Sequence, residues 1–331
     1  MSGNALPTTA DLLATALVVR LPMRTRFRGL TMRETMVFCG PAGWGEFGPF
    51  VEYDDDEASA WLAAGIEAAY QGPPPPLRDV IAINATVPAV PASEVAGILA
   101  RYPGASTAKV KVAEPGQTLD DDVARVAAAR AGVARVRIDA NGKWTVAEAL
   151  RAIRAIGDVE YVEQPCATVE ELAEVRRAVG VPIAADESIR KAADPYRVVA
   201  ADAADVAIVK VAPLGGMRAT LEIADAIGLP VVVSSALDSA VGISAGLAAA
   251  AALPNLDHAC GLGTGALFGA DVAVPFLPAG GAVTTRWFGP DHIVDRGAVP
   301  LADGRRERWW RDRLIRCHAL LSARGVDHDR D

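Results

Sequence analysis

Five charged residues interrupt otherwise apolar stretches of this 331-residue chain at nearly even intervals. Lys111, Asp139, Glu163, Asp186 and Lys210 follow one another at gaps of 28, 24, 23 and 24 residues. Their contexts are Lys109-Val-Lys111, Arg137-Ile-Asp139-Ala-Asn141, Tyr161-Val-Glu163-Gln-Pro165, Ala185-Asp186-Glu187-Ser188 and Ile208-Val-Lys210-Val211. Three carboxylates with no histidine or cysteine among them form an oxygen-only donor set. Such a set favours a hard cation, Mg²⁺ first, with Mn²⁺ as a substitute. Two lysines flanking that ion can do proton chemistry if burial and nearby positive charge lower their pKa. A single aspartate at a strand end is usually a helix cap or turn former. Five charges in register are poorly explained that way.

The intervals suit one strand plus one helix. From residue 79 onward, β-branched apolar runs alternate with alanine-rich helical segments. The runs are 79–87, 108–112, 135–140, 159–164, 182–187, 205–211, 230–235 and 257–262, and segments such as 145–156, 168–179, 217–227 and 241–253 carry helical periodicity. Eight alternations predict a modified TIM-type (β/α)8 barrel, an α/β fold. An open doubly wound sheet is the alternative, but it usually has fewer strands and a glycine-rich first turn. Every charge of the ladder then falls near the C-terminal end of its strand, where barrels build active sites. Lys109 and Lys111 share a strand face. If that face is interior, each loses water and needs a negative neighbour; on an edge strand they would instead be solvated guards against aggregation. The ladder decides for the interior.

Before the barrel, 16–20 and 32–38 read as strands and 57–70 as a helix, giving an α+β capping domain over residues 1–76. Pro73 to Pro76 is a stiff tract that suits a boundary. The barrel is expected over 77–285, and 286–331 is expected to pack back on the capping domain through a helix at 305–324 bearing Trp309 and Trp310.

The constellation resembles the enolase superfamily, specifically its muconate-lactonizing subgroup. That group carries Lys-x-Lys on the second barrel strand, an Asp, Glu, Asp metal triad on the third to fifth, and a lysine on the sixth. The resemblance implies that Asp139, Glu163 and Asp186 hold Mg²⁺, that Lys111 removes a proton α to a carboxylate, that Lys210 stabilises the resulting charge, and that Lys109 positions substrate and tunes Lys111. Asn141 and Glu187 are expected to support the ligands beside them. Arg137, Ser234, Ser235, Gly263 and Thr264 are expected to contact substrate, although Arg137 could equally form an internal ion pair with a ligand carboxylate. The basic, glycine-tipped segment Arg24-Thr-Arg-Phe-Arg-Gly29 is similar to the loop that closes over substrate in this superfamily, or is a solvated hairpin. Within the subgroup the chain is most similar to members that dehydrate a succinyl-substituted hydroxycyclohexadiene carboxylate to an aromatic ring in menaquinone synthesis. Racemases and epimerases of N-acylamino acids and dipeptides are the rivals on the same scaffold. A Schiff-base aldolase using Lys210 would need no triad, and a non-catalytic binding barrel would not retain all five charges.

The remaining composition narrows the partners. Net charge is −8, which leaves no basic footprint for nucleic acid. No apolar run reaches the ~18 residues of a membrane span, and no signal segment opens the chain. The four cysteines form no CxxC pair, as expected of a cytoplasmic protein with free thiols. Gly261, Gly263 and Gly265 do not meet the dinucleotide pattern and follow the last strand rather than the first. A small-molecule carboxylate is the expected partner, with no obligate protein partner.

Overall fold

The computed structural model describes residues 6–190, 194–292, 294 and 299–328. Residues 1–5 of the expected capping domain, and 293, 295–298 and 329–331 of the expected C-terminal segment, lie outside the described residues.

A short helix α1 (Thr9–Thr15) opens the N-terminal part, capped by a reciprocal Thr8–Asp11 box. Three antiparallel strands follow, β1 (Leu17–Phe27), β2 (Leu30–Gly40) and β3 (Gly43–Phe47), and then helix α2 (Asp55–Gln71). Leu17, Val18, Val19 and Leu21 of β1 and Met36, Val37 and Phe38 of β2 are all buried in the core. The basic segment 24–29 is mostly strand rather than loop. β1 runs to Phe27, pairs with Leu30, and leaves only Arg28 and Gly29 in the turn, at φ +51° and +76°. A two-residue hairpin turn of this hand needs positive φ at both positions, which glycine takes freely and arginine does not.

The barrel begins after the proline tract. The run 79–87 divides at Asn84: β4 (Val80–Ala82) pairs antiparallel with β12 (Ala282–Thr284), and β5 (Ala85–Val87) starts the parallel sheet. The sheet continues through β6 (Thr107–Lys111), β7 (Arg135–Asp139), β8 (Val162–Glu163), β9 (Ile183–Ala185), β10 (Val206–Val209) and β11 (Val231–Val233), each paired with its sequence neighbour. Seven strands form the ladder, not eight. The expected eighth, 257–262, contributes isolated bridges from Cys260 to Ile83 and from Gly261 to Ser234, which join the sheet's two edges. A glycine there weakens a strand but lets two backbones approach closely.

Helices α3 (Val95–Leu99), α4 (Leu119–Arg130), α5 (Val146–Ile156), α6 (Val169–Ala178), α7 (Asp194–Ala200), α8 (Met217–Ile227) and α9 (Ala240–Ala252) alternate with the strands. Helices α4, α5 and α6 each start with the same device. Thr118, Thr145 and Thr168 cap the helix, and the backbone N–H of each donates in return to the carboxylate of Asp121, Glu148 or Glu171 three residues on. Each cap contributes about 1 kcal/mol and ends the preceding βα loop at a defined point. Helix α10 (Gly304–His328) returns to the N-terminal part, packing on α2. Its Trp310 is fully buried, edge-on to Phe47 at 5.7 Å. No described helix is long and apolar enough to cross a membrane.

Candidate active site

The five ladder residues converge at the C-terminal ends of β6 to β10. Lys111, Asp139 and Glu163 are the last residues of β6, β7 and β8; Asp186 and Lys210 immediately follow β9 and β10. In the sheet order β6 and β10 flank β7–β9, so the two lysines bracket the carboxylates. Asp139, Glu163 and Asp186 are buried and offer oxygens all within 4.8 Å of one another. Lys109 Nζ donates to Glu163 Oε1 at 2.6 Å and lies 3.1 Å from Asp139 Oδ2. Lys111 donates to Asp139 and, at 2.8 Å, to Asn141 Oδ1, while Lys210 donates to Asp186.

Placing three carboxylates together out of water is unfavourable unless cations compensate. The effect is visible in Glu163, whose pKa burial and the adjacent Asp139 carboxylate raise to about 8. Burial also works against ionised Asp139, but Lys111 and Lys109 outweigh it and hold that carboxyl below its usual range. Asp186 follows the same logic, with Lys210 and Arg190 outweighing burial to bring it to about 2. Burial pushes Lys210 below the ordinary lysine value against the pull of Asp186. For Lys109 burial is overcome by Glu163 and Asp139, and its pKa rises well above the ordinary value.

Glu163 Oε2 is buried with no hydrogen-bond partner. An orphaned carboxylate oxygen in a buried cluster of three carboxylates is what a metal ligand looks like before its ion is counted. The donor set is oxygen only. The residues therefore fit a hard divalent cation.

A cavity of about 750 Å³ reaches the triad at Asp186 and is lined by both lysines, Lys109, Asn141 and Glu187, together with Ser234, Ser235, Gly261 and Thr264. Ser235 and Thr264 share a hydrogen bond of 2.6 Å. Two expected contacts do not reach it. Gly263 packs downward, where an added Cβ would lie 2.7 Å from Ile83 and 3.0 Å from Tyr102. Arg137 is fully buried one layer deeper. Its guanidinium donates to Tyr161 Oη at 2.7 Å, to the Ala259 carbonyl at 2.9 Å and to Glu160 Oε2 at 2.9 Å. It forms an internal ion pair, though with Glu160 rather than a ligand carboxylate.

Several site residues escape motif reading. Gln164, in the left-handed region at φ +39°, accepts from the backbone N–H groups of Asp186 and Ser188 at 3.0 and 3.2 Å, so it sets the turn that aims Asp186. Its position beside Glu163 was the available signal. Phe27, near the hairpin tip, holds its ring 5.4 Å from Lys111 Nζ. Tyr53, Lys143 and Arg190 also line the cavity, and nothing in their local sequence marks them.

Comparison with known proteins agrees with this geometry. Residues 93–287 match the family model for the enolase C-terminal domain-like fold and residues 18–69 that for the enolase N-terminal domain-like fold. The chain is 61% identical over 321 residues to the o-succinylbenzoate synthase of Mycobacterium tuberculosis, covering 96% of this chain and 97% of that protein. Identity to the o-succinylbenzoate synthase of Mycolicibacterium smegmatis is 60%, over 96% of this chain and 99% of that one. Among solved structures, the muconate lactonizing enzyme from Pseudomonas putida superposes with a TM-score of 0.72 at 21% identity, over 85% of this chain and 96% of that one. The L-Ala-D/L-Glu epimerase from Bacillus subtilis gives 0.71 at 23%, over 83% and 96%. At such identities the structural likeness speaks for the fold alone. The chain belongs to the o-succinylbenzoate synthase family of the enolase superfamily.

Proposed function

We propose that this protein catalyses the o-succinylbenzoate synthase reaction: dehydration of 2-succinyl-6-hydroxy-2,4-cyclohexadiene-1-carboxylate to 2-succinylbenzoate, in menaquinone synthesis. The observation that carries the chemistry is the three-carboxylate cluster bracketed by Lys111 and Lys210 under one cavity. The choice of substrate rests on near full-length kinship with the synthases.

A divalent ion held by Asp139, Glu163 and Asp186, Mg²⁺ by its preference for oxygen, would supply a Lewis acid toward a substrate carboxylate. Lys111, at the mouth of β6, removes the proton from the ring carbon bearing that carboxylate. Negative charge then moves toward the carboxylate oxygens, and Lys210 stabilises it as a fixed cation from the far side. Lys111, now protonated, returns its proton to the departing hydroxyl, so one residue serves as base and then as acid. The C–O bond breaks, water leaves and the ring becomes aromatic. Lys109 is held by Glu163 and Asp139 and supports the triad. Ser234, Ser235 and Thr264 offer hydroxyls to the substrate, and the ring of Phe27 covers Lys111. Four unpaired thiols fit a cytoplasmic enzyme.

The test follows the appearance of the aromatic product by ultraviolet absorbance, beside α-proton exchange in D₂O on an N-succinylamino acid. The wild type should aromatise the cyclohexadiene. Lys111→Arg should lose several powers of ten in rate, since a guanidinium does not deprotonate at working pH. Lys210→Arg keeps the cation and should retain measurable dehydration, whereas a racemase needs a proton donor and acceptor at both positions. A wild type that exchanges the α-proton efficiently but fails to aromatise the diene overturns the assignment.

A further inference from the structure

A continuous line of hydrogen bonds leaves Lys111 and ends at the tip of the N-terminal hairpin. Lys111 Nζ donates to Asn141 Oδ1 at 2.8 Å, and Asn141 Nδ2 donates to Glu187 Oε1 at 3.2 Å. The same Glu187 oxygen accepts from Arg190 Nη2 at 2.6 Å. Arg190 Nη1 then crosses to the N-terminal part and donates to Tyr53 Oη at 2.8 Å. Tyr53 Oη accepts a second guanidinium, Arg28 Nη2, at 3.1 Å.

Both ends of this line need support. Arg28 sits at φ +51°, a conformation unfavourable for a side chain bearing Cβ, which persists where surroundings over-determine it. Those surroundings are the Tyr53 hydroxyl, the Phe50 ring 4.0 Å from the guanidinium carbon, and Glu52 at 3.7 Å. At the other end, Lys111 is a long flexible chain whose amine must be aimed. Asn141 can aim it only while its carbonyl oxygen, not its amide nitrogen, faces the ammonium. Glu187 enforces that choice by accepting from the nitrogen, and Arg190 fixes Glu187. Tyr53 is itself held from behind: Arg313, on α10, donates to the Tyr53 carbonyl at 2.5 Å and the Phe50 carbonyl at 3.2 Å.

We propose that Tyr53 and Arg190 are positioning residues that tie the seating of the capping hairpin to the orientation of Lys111, so that the base is aimed when Arg28 is latched over the cavity. This rests on Lys111 being the base. Tyr53 acts on Lys111 through the next member of the line; Arg190 does so through Glu187 and also lies 4.0 Å from Asp186 Oδ1, so the coupling between Arg28 and Tyr53 is the deciding readout. The link is built from single-acceptor junctions. The two guanidinium groups meet at the Tyr53 hydroxyl, and the two halves of the Arg190–Asn141 step meet at one Glu187 oxygen.

The experiment uses the full-length Mg²⁺-loaded enzyme and diene substrate carrying deuterium on the carbon α to the ring carboxylate. Tyr53→Phe keeps the ring that packs near Phe50 and Trp61 and removes only the junction, so folding is not at stake. It should lower kcat/KM roughly 10-fold, and Arg190→Met on the order of 100-fold, the scale on which misplacing a catalytic group by about an ångström acts. The primary isotope effect on kcat/KM should rise in both variants, because a poorly aimed base makes proton removal more rate-limiting. Arg28→Met should slow the wild type but have less than a twofold further effect in the Tyr53→Phe background. An unchanged isotope effect, or additive losses from Arg28→Met and Tyr53→Phe, overturns the proposal. A wild type that fails to dehydrate the diene overturns the functional assignment and this inference with it, whereas an active wild type with additive variants overturns the inference alone.

Discussion

Glu46, on β3, is where the N-terminal sheet plugs into the barrel, and its burial makes a measurable prediction about pH. Its carboxylate accepts from the backbone N–H of Ser239 at 3.0 Å and of Gly242 at 3.1 Å, at the start of α9, and from Thr35 Oγ1 at 3.0 Å. Those bonds and the helix N-terminus favour the ion. Burial and the neighbouring Asp238 oppose it more strongly, and the pKa rises from 4.5 to about 7. A carboxyl with a raised folded pKa binds its proton in the folded state where the unfolded chain has already released it. Stability from this group therefore falls as pH rises from about 4.5 to about 7 and stays reduced above that. The shift of about 2.5 pH units at 1.36 kcal/mol each amounts to roughly 3 kcal/mol. Glu46→Gln has no such proton to bind. It loses about 1 kcal/mol at all pH values, because one amide end must face backbone donors. The two stability curves should cross: wild type more stable near pH 4.5, the variant more stable by roughly 2 kcal/mol at pH 8. Urea unfolding of both proteins across this range measures the difference, in which titrations common to both cancel. A difference that is flat with pH refutes the reasoning.

Two further outcomes test the site itself. Asp139→Asn, Glu163→Gln and Asp186→Asn should each abolish turnover and the thermal stabilisation by Mg²⁺, and EDTA should inactivate the wild type reversibly; full activity in rigorously metal-free buffer would mean the triad holds no catalytic ion. Gly261→Ala would set a Cβ 2.4 Å from Ser234 Oγ and 3.0 Å from its Cβ, so steady-state kinetics should show KM raised several-fold, with a stability loss of about 1–3 kcal/mol; unchanged KM would remove Ser234 from the substrate wall.

The parts legible in the sequence were those where one local rule decides. Strand ends carrying charge at a fixed interval gave the site because parallel barrel strands all end on one face. Helix α8 was readable to its bounds because its apolar residues recur at helical spacing between Gly216 and Gly228. The eighth strand was not readable, because 257–262 has strand composition and yet pairs only at Cys260 and Gly261. Whether a segment becomes a strand depends on the edges it meets, and these are set by β11 and by the β4–β5 break. Of the two readings of segment 24–29, the hairpin describes its backbone: β1 runs to Phe27, although its pairing with β2 breaks between Pro22 and Phe27 and Met23 bridges to Phe268 instead, a long-range contact that local composition does not report.

Lys109 and Arg137 show most plainly where periodicity stops informing. They are register partners on adjacent strands, each two residues before a site residue, and each points into the barrel as the i, i+2 rule requires. Alternation settles the face but not the direction a long side chain takes along it. Lys109 finds Glu163 and Asp139 toward the C-terminal end and reaches them. Arg137 finds Glu160, Tyr161 and the Ala259 carbonyl, and is held there. Once a planar guanidinium has met a carboxylate, a hydroxyl and a carbonyl, moving it up to the cavity would break all three contacts of a buried cation, a change of several kcal/mol. Glu160 precedes β8 and follows the hydrophobic run pattern of no motif, so the residue that decides where Arg137 points is three positions before a metal ligand and silent in the sequence. The same strand face thus delivers one cation to the chemistry and one to the foundation beneath it, with the choice made by the carboxylate each side chain meets.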